Sequence, residues 1–138
     1  MFTLHSQLEK DCTIIGDLPL SKLLLMNDAH YPWCVLVPMR ANTREWFELN
    51  TAEQQQLLTE TNALAKYLYE KTGATKMNIG ALGNMVPQLH VHVIARFEHD
   101  AAWPAPVWGK VAAKAYSDAD MEKTRDMLTH FQRFFIRQ

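Results

Sequence analysis

Gln88-Leu-His-Val-His-Val-Ile94 is the stretch on which the reading of this chain turns. Polar and apolar residues alternate through it, the period-two pattern of a β-strand whose successive side chains point to opposite faces. The pattern predicts a strand over Leu89–Ala95, with Leu89, Val91 and Val93 turned to a core and Gln88, His90 and His92 aligned on the other face. A solvated strand face more often carries Thr, Lys or Glu than three hydrogen-bonding side chains of this kind. At a rise of roughly 3.3 Å per residue the two imidazoles stand about 7 Å apart, so both can reach one small ligand.

Three readings fit two histidines in this spacing: imidazoles that are merely packed or solvated, a metal-ligand pair, or a catalytic pair. A metal set built on His90 and His92 would draw on Glu98 downstream, as some β-barrels do. The interval to Glu98 is long for that pattern, no glycine follows at the matching offset, and no third His or Cys stands nearby in sequence.

Outward from this strand the chain alternates short apolar runs with turn signals. Asp11–Ile15, Leu20–Met26, Trp33–Val37 and Thr75–Ile79 are rich in Val, Ile, Leu or aromatics and bounded by Gly, Pro, Asn or Asp. The first three follow one another through Gly16-Asp17-Leu18-Pro19 and the turn Asn27–Pro32, which argues for an antiparallel meander. Thr51-Ala-Glu-Gln54 reads as a capping box. Behind it Leu57, Thr61, Leu64 and Leu68 recur at helical spacing up to Gly73, predicting a helix over 52–71. A second helix is expected from Ser117 or Asp118, with Met121, Leu128, Phe131 and Phe135 along one side. Each helix has one apolar stripe and must cover something. The expected fold is α+β, an antiparallel meander sheet with both helices packed on one face.

Composition sets the outer bounds. With 138 residues, no repeat and no Gly/Ser linker, residues 1–138 are expected to form one domain. Fourteen Lys plus Arg against 15 Asp plus Glu give a net charge of −1, which argues against binding long nucleic acids. A small anion needs only a few local donors and stays compatible with that balance. Cys12 and Cys34 form neither a disulfide framework nor a CxxC pair and read as small buried hydrophobes of a reducing compartment. Glu9, Lys10 and Asp11 interrupt the N-terminus where a signal peptide needs an apolar core, and no apolar run nears the roughly 20 residues that span a bilayer. A cytoplasmic protein without membrane contact is expected.

The segment Asn78-Ile-Gly80 followed by Gly83-Asn84-Met-Val-Pro-Gln88-Leu-His90-Val-His92-Val-Ile resembles the signature of the histidine-triad (HIT) nucleotide-binding and hydrolase family. The order of elements, including the Val35–Pro38 stretch, is similar over most of the chain, and Gln88 in the first triad position resembles a bacterial branch of that family. The resemblance implies a HIT-like fold and a homodimer with paired sheets and a contribution from helix 52–71. It also implies action on the α-phosphate of a purine mono- or dinucleotide such as a diadenosine polyphosphate. His90 would be the nucleophile, forming a nucleotidyl-imidazole that water opens, and His92 would donate to a non-bridging phosphate oxygen. Gln88 would keep a hydrogen-bond link to the neighbouring histidine without carrying charge. Gly83 and Asn84 would hold the α-phosphate, Asn78 would lie near it, and Asn27 or Asp28 would take the ribose hydroxyls. Met85 stands where many members carry a serine that assists the leaving group, and Trp33 stands about where another family histidine precedes Val35. No cofactor or metal site is implied; a divalent ion would accompany a polyphosphate substrate, bound more to it than to the protein. The alternative is a nucleotide-binding module with little catalysis, motivated by Gln88 and Met85.

Downstream, Arg96–Gly109 is dense in Trp and Pro and reads as a rigid loop capping the sheet, with Trp103 and Trp108 placed to close over the site or to meet a partner subunit. Arg96 is expected to be exposed at the strand end and His99 to be a loop residue. His5, His30 and His130 have no supporting context.

Overall fold

A computed structural model describes residues 1–137. Helix α1 (Ser6–Asp11) leads into strands β1 (Cys12–Asp17), β2 (Ser21–Met26) and β3 (Trp33–Pro38). After a 3-10 turn at Trp46–Glu48 come α2 (Thr51–Thr72), β4 (Lys76–Gly80), β5 (Val91–Arg96) and α3 (Asp118–Ile136). The strands form one antiparallel sheet in the order β1-β2-β3-β5-β4. The expected meander is present in β1–β3. The last strand in sequence then enters between β3 and the edge strand β4, which puts the histidine pair in the middle of the sheet.

α2 starts one residue earlier than the expected capping box. Asn50 accepts a hydrogen bond from the Glu53 N–H at 2.8 Å and Glu53 accepts one from the Asn50 N–H at 2.9 Å. Asn outranks Thr as an N-cap, and a carboxylate complements the positive helix end better than the amide of Gln54, which donates instead to the Leu49 carbonyl. Gly73, at φ 70°, ends the helix in the left-handed conformation that glycine adopts without penalty.

Both long helices cover one sheet face, as expected. Leu57, Leu64 and Leu68 of α2 and Leu128 and Phe131 of α3 meet Leu23, Leu25, Cys34, Leu36, Val91 and Val93. α2 is also tied to the β1–β2 turn through Glu60, whose buried carboxylate accepts from the Leu20 and Ser21 N–H groups at 2.7 and 3.1 Å. The other face is not open. Leu24, Trp33, Val35, Val37 and Ile94 are covered there by Leu8 of α1 and by Tyr31, Ala102 and Val107. β3 and β5 are therefore buried on both sides, and the histidine face is a half-roofed interior rather than a solvated surface.

The β5 boundary differs from the expected Leu89–Ala95. Gln88–His90 precede the strand, because the Leu89 N–H is drawn to the Thr43 carbonyl at 2.9 Å rather than into the ladder. β1 runs from Cys12 to Asp17 instead of Asp11–Ile15, with a bulge between Ile14 and Gly16. A Cβ on Gly16 would stand 3.1 Å from the Gln132 side chain of α3, so glycine permits that close approach.

Candidate active site

His90 and His92 meet in the centre of the sheet, 6% and 5% exposed, with ring centroids 4.9 Å apart and planes at 71°. Their hydrogen-bond partners set opposite tautomers. The His90 Nδ1 lies 2.7 Å from the Gln88 main-chain carbonyl, which can only accept, so Nδ1 carries the proton and Nε2 presents a lone pair. The Trp33 indole, which can only donate, gives its N–H to the His92 Nδ1 at 2.9 Å, so the proton of His92 sits on Nε2. β3 and β5 bring this about: Val35 pairs with His92 and Trp33 with Ile94, which places the indole diagonally beside the imidazole on the same face.

Both rings are held neutral. Burial lowers the pKa of His90, the Gln88 carbonyl pulls it partly back, and His5 lowers it further. Burial and the neighbouring His90 lower that of His92 from 6.5 to about 4. A lone pair and an N–H donor thus stand side by side without a net charge, which is what a nucleophile and an anion-stabilising partner require.

Trp108 roofs the pair, its ring centroid 5.2 Å from that of His92 and perpendicular to Trp33. Gly80, opposite His92 in the ladder, lies beneath it; a Cβ there would stand 3.4 Å from the indole, in ordinary van der Waals contact. A cavity of about 380 Å³ opens between Trp33, Trp108, Val107, Met26, Asn27 and Asp28. On the other side a narrow cleft holds His90 with Gly83, Arg44 and Gln88.

The other expected residues divide between these clefts and the scaffold. Gly83, at φ 78°, borders the narrow cleft beside His90. Asn84 is exposed on the same loop and lines neither cleft. Asn27 and Asp28 border the larger cavity and also hold the segment that leads into α3: Asn27 accepts from the Tyr116 N–H at 3.0 Å. The buried Asp28 accepts from the His30 N–H at 3.0 Å and the Lys114 N–H at 3.4 Å. Asn78 is committed elsewhere, its carboxamide oxygen accepting from Arg96 at 2.8 Å.

Two readings need correction. Gln88 does not use its carboxamide on a histidine. That group accepts from the His5 N–H and donates to the Thr3 carbonyl, both at 2.9 Å, because Gln88 lies ahead of β5, beside the N-terminal segment. The link to His90 comes from its main chain. Arg96 is not exposed but 1% accessible, paired with Asp100 at 2.8 Å and bonded to Asn78 and the Ala105 carbonyl. Tyr31 and Trp103 flank its guanidinium at 5.6 and 5.7 Å. Glu98 does not join His90 and His92: among the described residues no three His, Cys, Asp or Glu side chains converge as a ligand set.

The model of the HIT domain matches residues 7–99, two thirds of the chain, taking in the meander, α2 and the histidine strand. The chain belongs to the HIT family. Solved HIT-family structures cover nearly all of it. A histidine triad protein from Bradyrhizobium japonicum is 46% identical over 95% of this chain and 98% of its own, with a TM-score of 0.93. One from Sinorhizobium meliloti 1021 is 48% identical over 94% and 96%, at 0.91. One from Marinobacter aquaeolei VT8 is 43% identical over 98% of both chains, at 0.95. Curated proteins gave no match. As a HIT protein this chain falls in a family of nucleotide-binding proteins, and Trp108 and α3 lie beyond the matched domain.

From sequence Trp33 was only a positional likeness, and Arg44 carried no signal. Trp33 acts across two strands far apart in sequence, so only register could reveal it. His5 was discarded for want of context, yet it caps α1 by accepting the Gln7 N–H at 3.0 Å and is held by Gln88.

Proposed function

We propose that this HIT protein hydrolyses or transfers a nucleotidyl group at the α-phosphate of a purine mono- or dinucleotide through a covalent intermediate on His90. The observation that carries the reading is the pair of opposite tautomers. The Nε2 lone pair of His90 attacks phosphorus, the bond from phosphorus to the leaving oxygen breaks, and its electron pair goes with that oxygen. Nε2 gains positive character as it does so, and the Gln88 carbonyl on Nδ1–H stabilises it. The Nε2–H of His92 meets the charge on a non-bridging oxygen. Water then attacks phosphorus, the P–N bond returns its pair to Nε2, and the water proton leaves with the released monophosphate or to solvent. Base and ribose fit the cavity between the two indoles and Asn27 and Asp28. A divalent ion travels with a polyphosphate substrate rather than on a protein site.

A single-turnover reaction with labelled diadenosine polyphosphate tests this. Acid-labile label on the protein, lost in His90→Ala, is the expected result; tight binding with neither label nor turnover would leave a nucleotide-binding module. That second reading draws on Met85, which is 93% exposed and has no proton to give, and on the engagement of the Gln88 carboxamide elsewhere.

The protein is further proposed to be a homodimer joined along β4. This edge strand has one paired side, Ile79 on it is 49% exposed, and Leu82 beyond it and Leu58 and Tyr69 of α2 are also exposed. The free thiols of Cys12 and Cys34 fit the reducing cytoplasm, and no helix among the described residues is long and apolar enough to cross a membrane.

A further inference from the structure

The nucleotidyl step leaves a second cleft beside the triad without a role. Gln88 grips the N-terminal segment at Thr3 and His5, and Leu89 grips the loop after β3 at Thr43. Between these two tethered segments lies a cavity of about 310 Å³ bordered by His5, Asn42, Thr43, Arg44 and Gln88. It adjoins the nucleophile's surroundings, since Arg44 and Gln88 border both this cavity and the narrow cleft that holds His90.

The donors are of one kind. The exposed Arg44 guanidinium makes no ion pair or side-chain hydrogen bond among the described residues, so its N–H donors are uncommitted. The Nδ1 of His5 accepts from Gln7, which places the imidazole proton on Nε2. His5 in this tautomer is a hydrogen-bond donor and not a source of protons. No carboxylate borders the cavity; Glu45 borders the narrow cleft alone. Met85 supplies no proton either. A leaving group that departs as an amine must be protonated, and neither residue serves it, whereas a phosphate oxygen departs as a stable anion that needs only its charge met.

We propose that the cleft between His5 and Arg44 is the leaving-group subsite and selects for leaving groups that carry phosphate. The proposal rests on the nucleotidyl reading above. When the bond between the α-phosphorus and the bridging oxygen breaks, the electron pair stays on that oxygen as a terminal oxygen of the departing polyphosphate. No proton is added, and the guanidinium and the His5 N–H hold the charge.

Equilibrium binding to the His90→Asn protein separates the subsite from the chemistry. Calorimetry with AMP and with diadenosine tetraphosphate is expected to show the tetraphosphate binding at least about tenfold more tightly. Arg44→Gln on that background should bring the two affinities within a factor of about three, and Arg44→Lys should recover part of the difference. His5→Asn, which keeps an acceptor for Gln7, should lower the ratio by a smaller factor of about three. An affinity ratio indifferent to Arg44→Gln would overturn the subsite, and one that responds to Arg44 but not at all to His5 would overturn the part given to the imidazole. Covalent labelling of the protein with His90 intact reports separately on the parent reading. Arg44-dependent discrimination without label keeps the subsite and removes the chemistry; label with Arg44-independent discrimination does the reverse.

Discussion

His92 owes its tautomer to Trp33, an indole that donates and cannot accept. Trp33→Phe keeps the aromatic bulk and removes the donor, so His92 is free to exchange its proton between nitrogens. The expected result is a fall in kcat of about tenfold, the size of a 1.4 kcal/mol bias, with KM much less affected. Nitrogen NMR of the imidazoles checks the cause: Nε2–H for His92 in the parent, a tautomer mixture in the variant. Titration gives a second handle on the same residue. The native pKa of about 4 lies below the ordinary 6.5, so between these values the unfolded chain binds a proton that the native protein refuses. The stability this gives is complete above pH 6.5 and lost as pH falls toward 4, at up to about 1.4 kcal/mol per pH unit. Denaturant titrations across that window should show the slope, and His92→Gln should flatten it. His90 and His92 were legible in the sequence because alternation marks a strand and imidazoles mark chemistry. Gln88 was legible only as a position; what its carboxamide binds depends on where residues 3–5 run.

The loop after β5 stands on one buried ion pair. Burial alone would raise the pKa of Asp100, but Arg96 and the Phe97, Ala102 and Trp103 N–H groups outweigh it and hold the carboxyl well below the usual range. Asp100→Ala leaves a guanidinium buried without its counter-charge, and the expected loss is about 3–5 kcal/mol, read from thermal or denaturant unfolding. Because the same loop carries Trp108 over His92, activity should fall before global unfolding does. Local signals served where an element is its own explanation: α2 from its leucines and Gly73, and the β1–β3 meander from its turns. They failed where a partner distant in sequence decides the matter. Arg96 looked like a solvated strand end since nothing beside it announces Asn78 or Tyr31 as neighbours, and α1 has a single buried residue, Leu8, too little for a periodic stripe.

The sheet order gives the molecule a protected middle and two edge strands, β1 and β4. β3 and β5 are sealed from both sides, so their amides should exchange slowest. β4 has hydrogen bonds on one side only, the arrangement that invites a second copy. Sedimentation equilibrium is expected to give a dimer, and Ile79→Lys, which sets a charge on the β4 edge, should shift it toward monomer with the fold retained by circular dichroism. The α+β class with both long helices on one sheet face was legible from the two stripes. That the Trp- and Pro-rich loop caps the sheet was legible from its composition; that the N-terminal segment with α1 shares in covering the opposite face was not, because irregular chain carries no periodic signal.

The bond from Trp33 to His92 also makes the centre of the sheet luminous. An excited indole is sensitive to what accepts its N–H, and this one donates to the buried imidazole beside His90. Intrinsic fluorescence is thus a built-in optical readout of His92: emission should change when an anion occupies the site and again when acid protonates the imidazole. The component that responds is the one Trp33→Phe removes, which lets occupancy be followed without attaching a label to the protein.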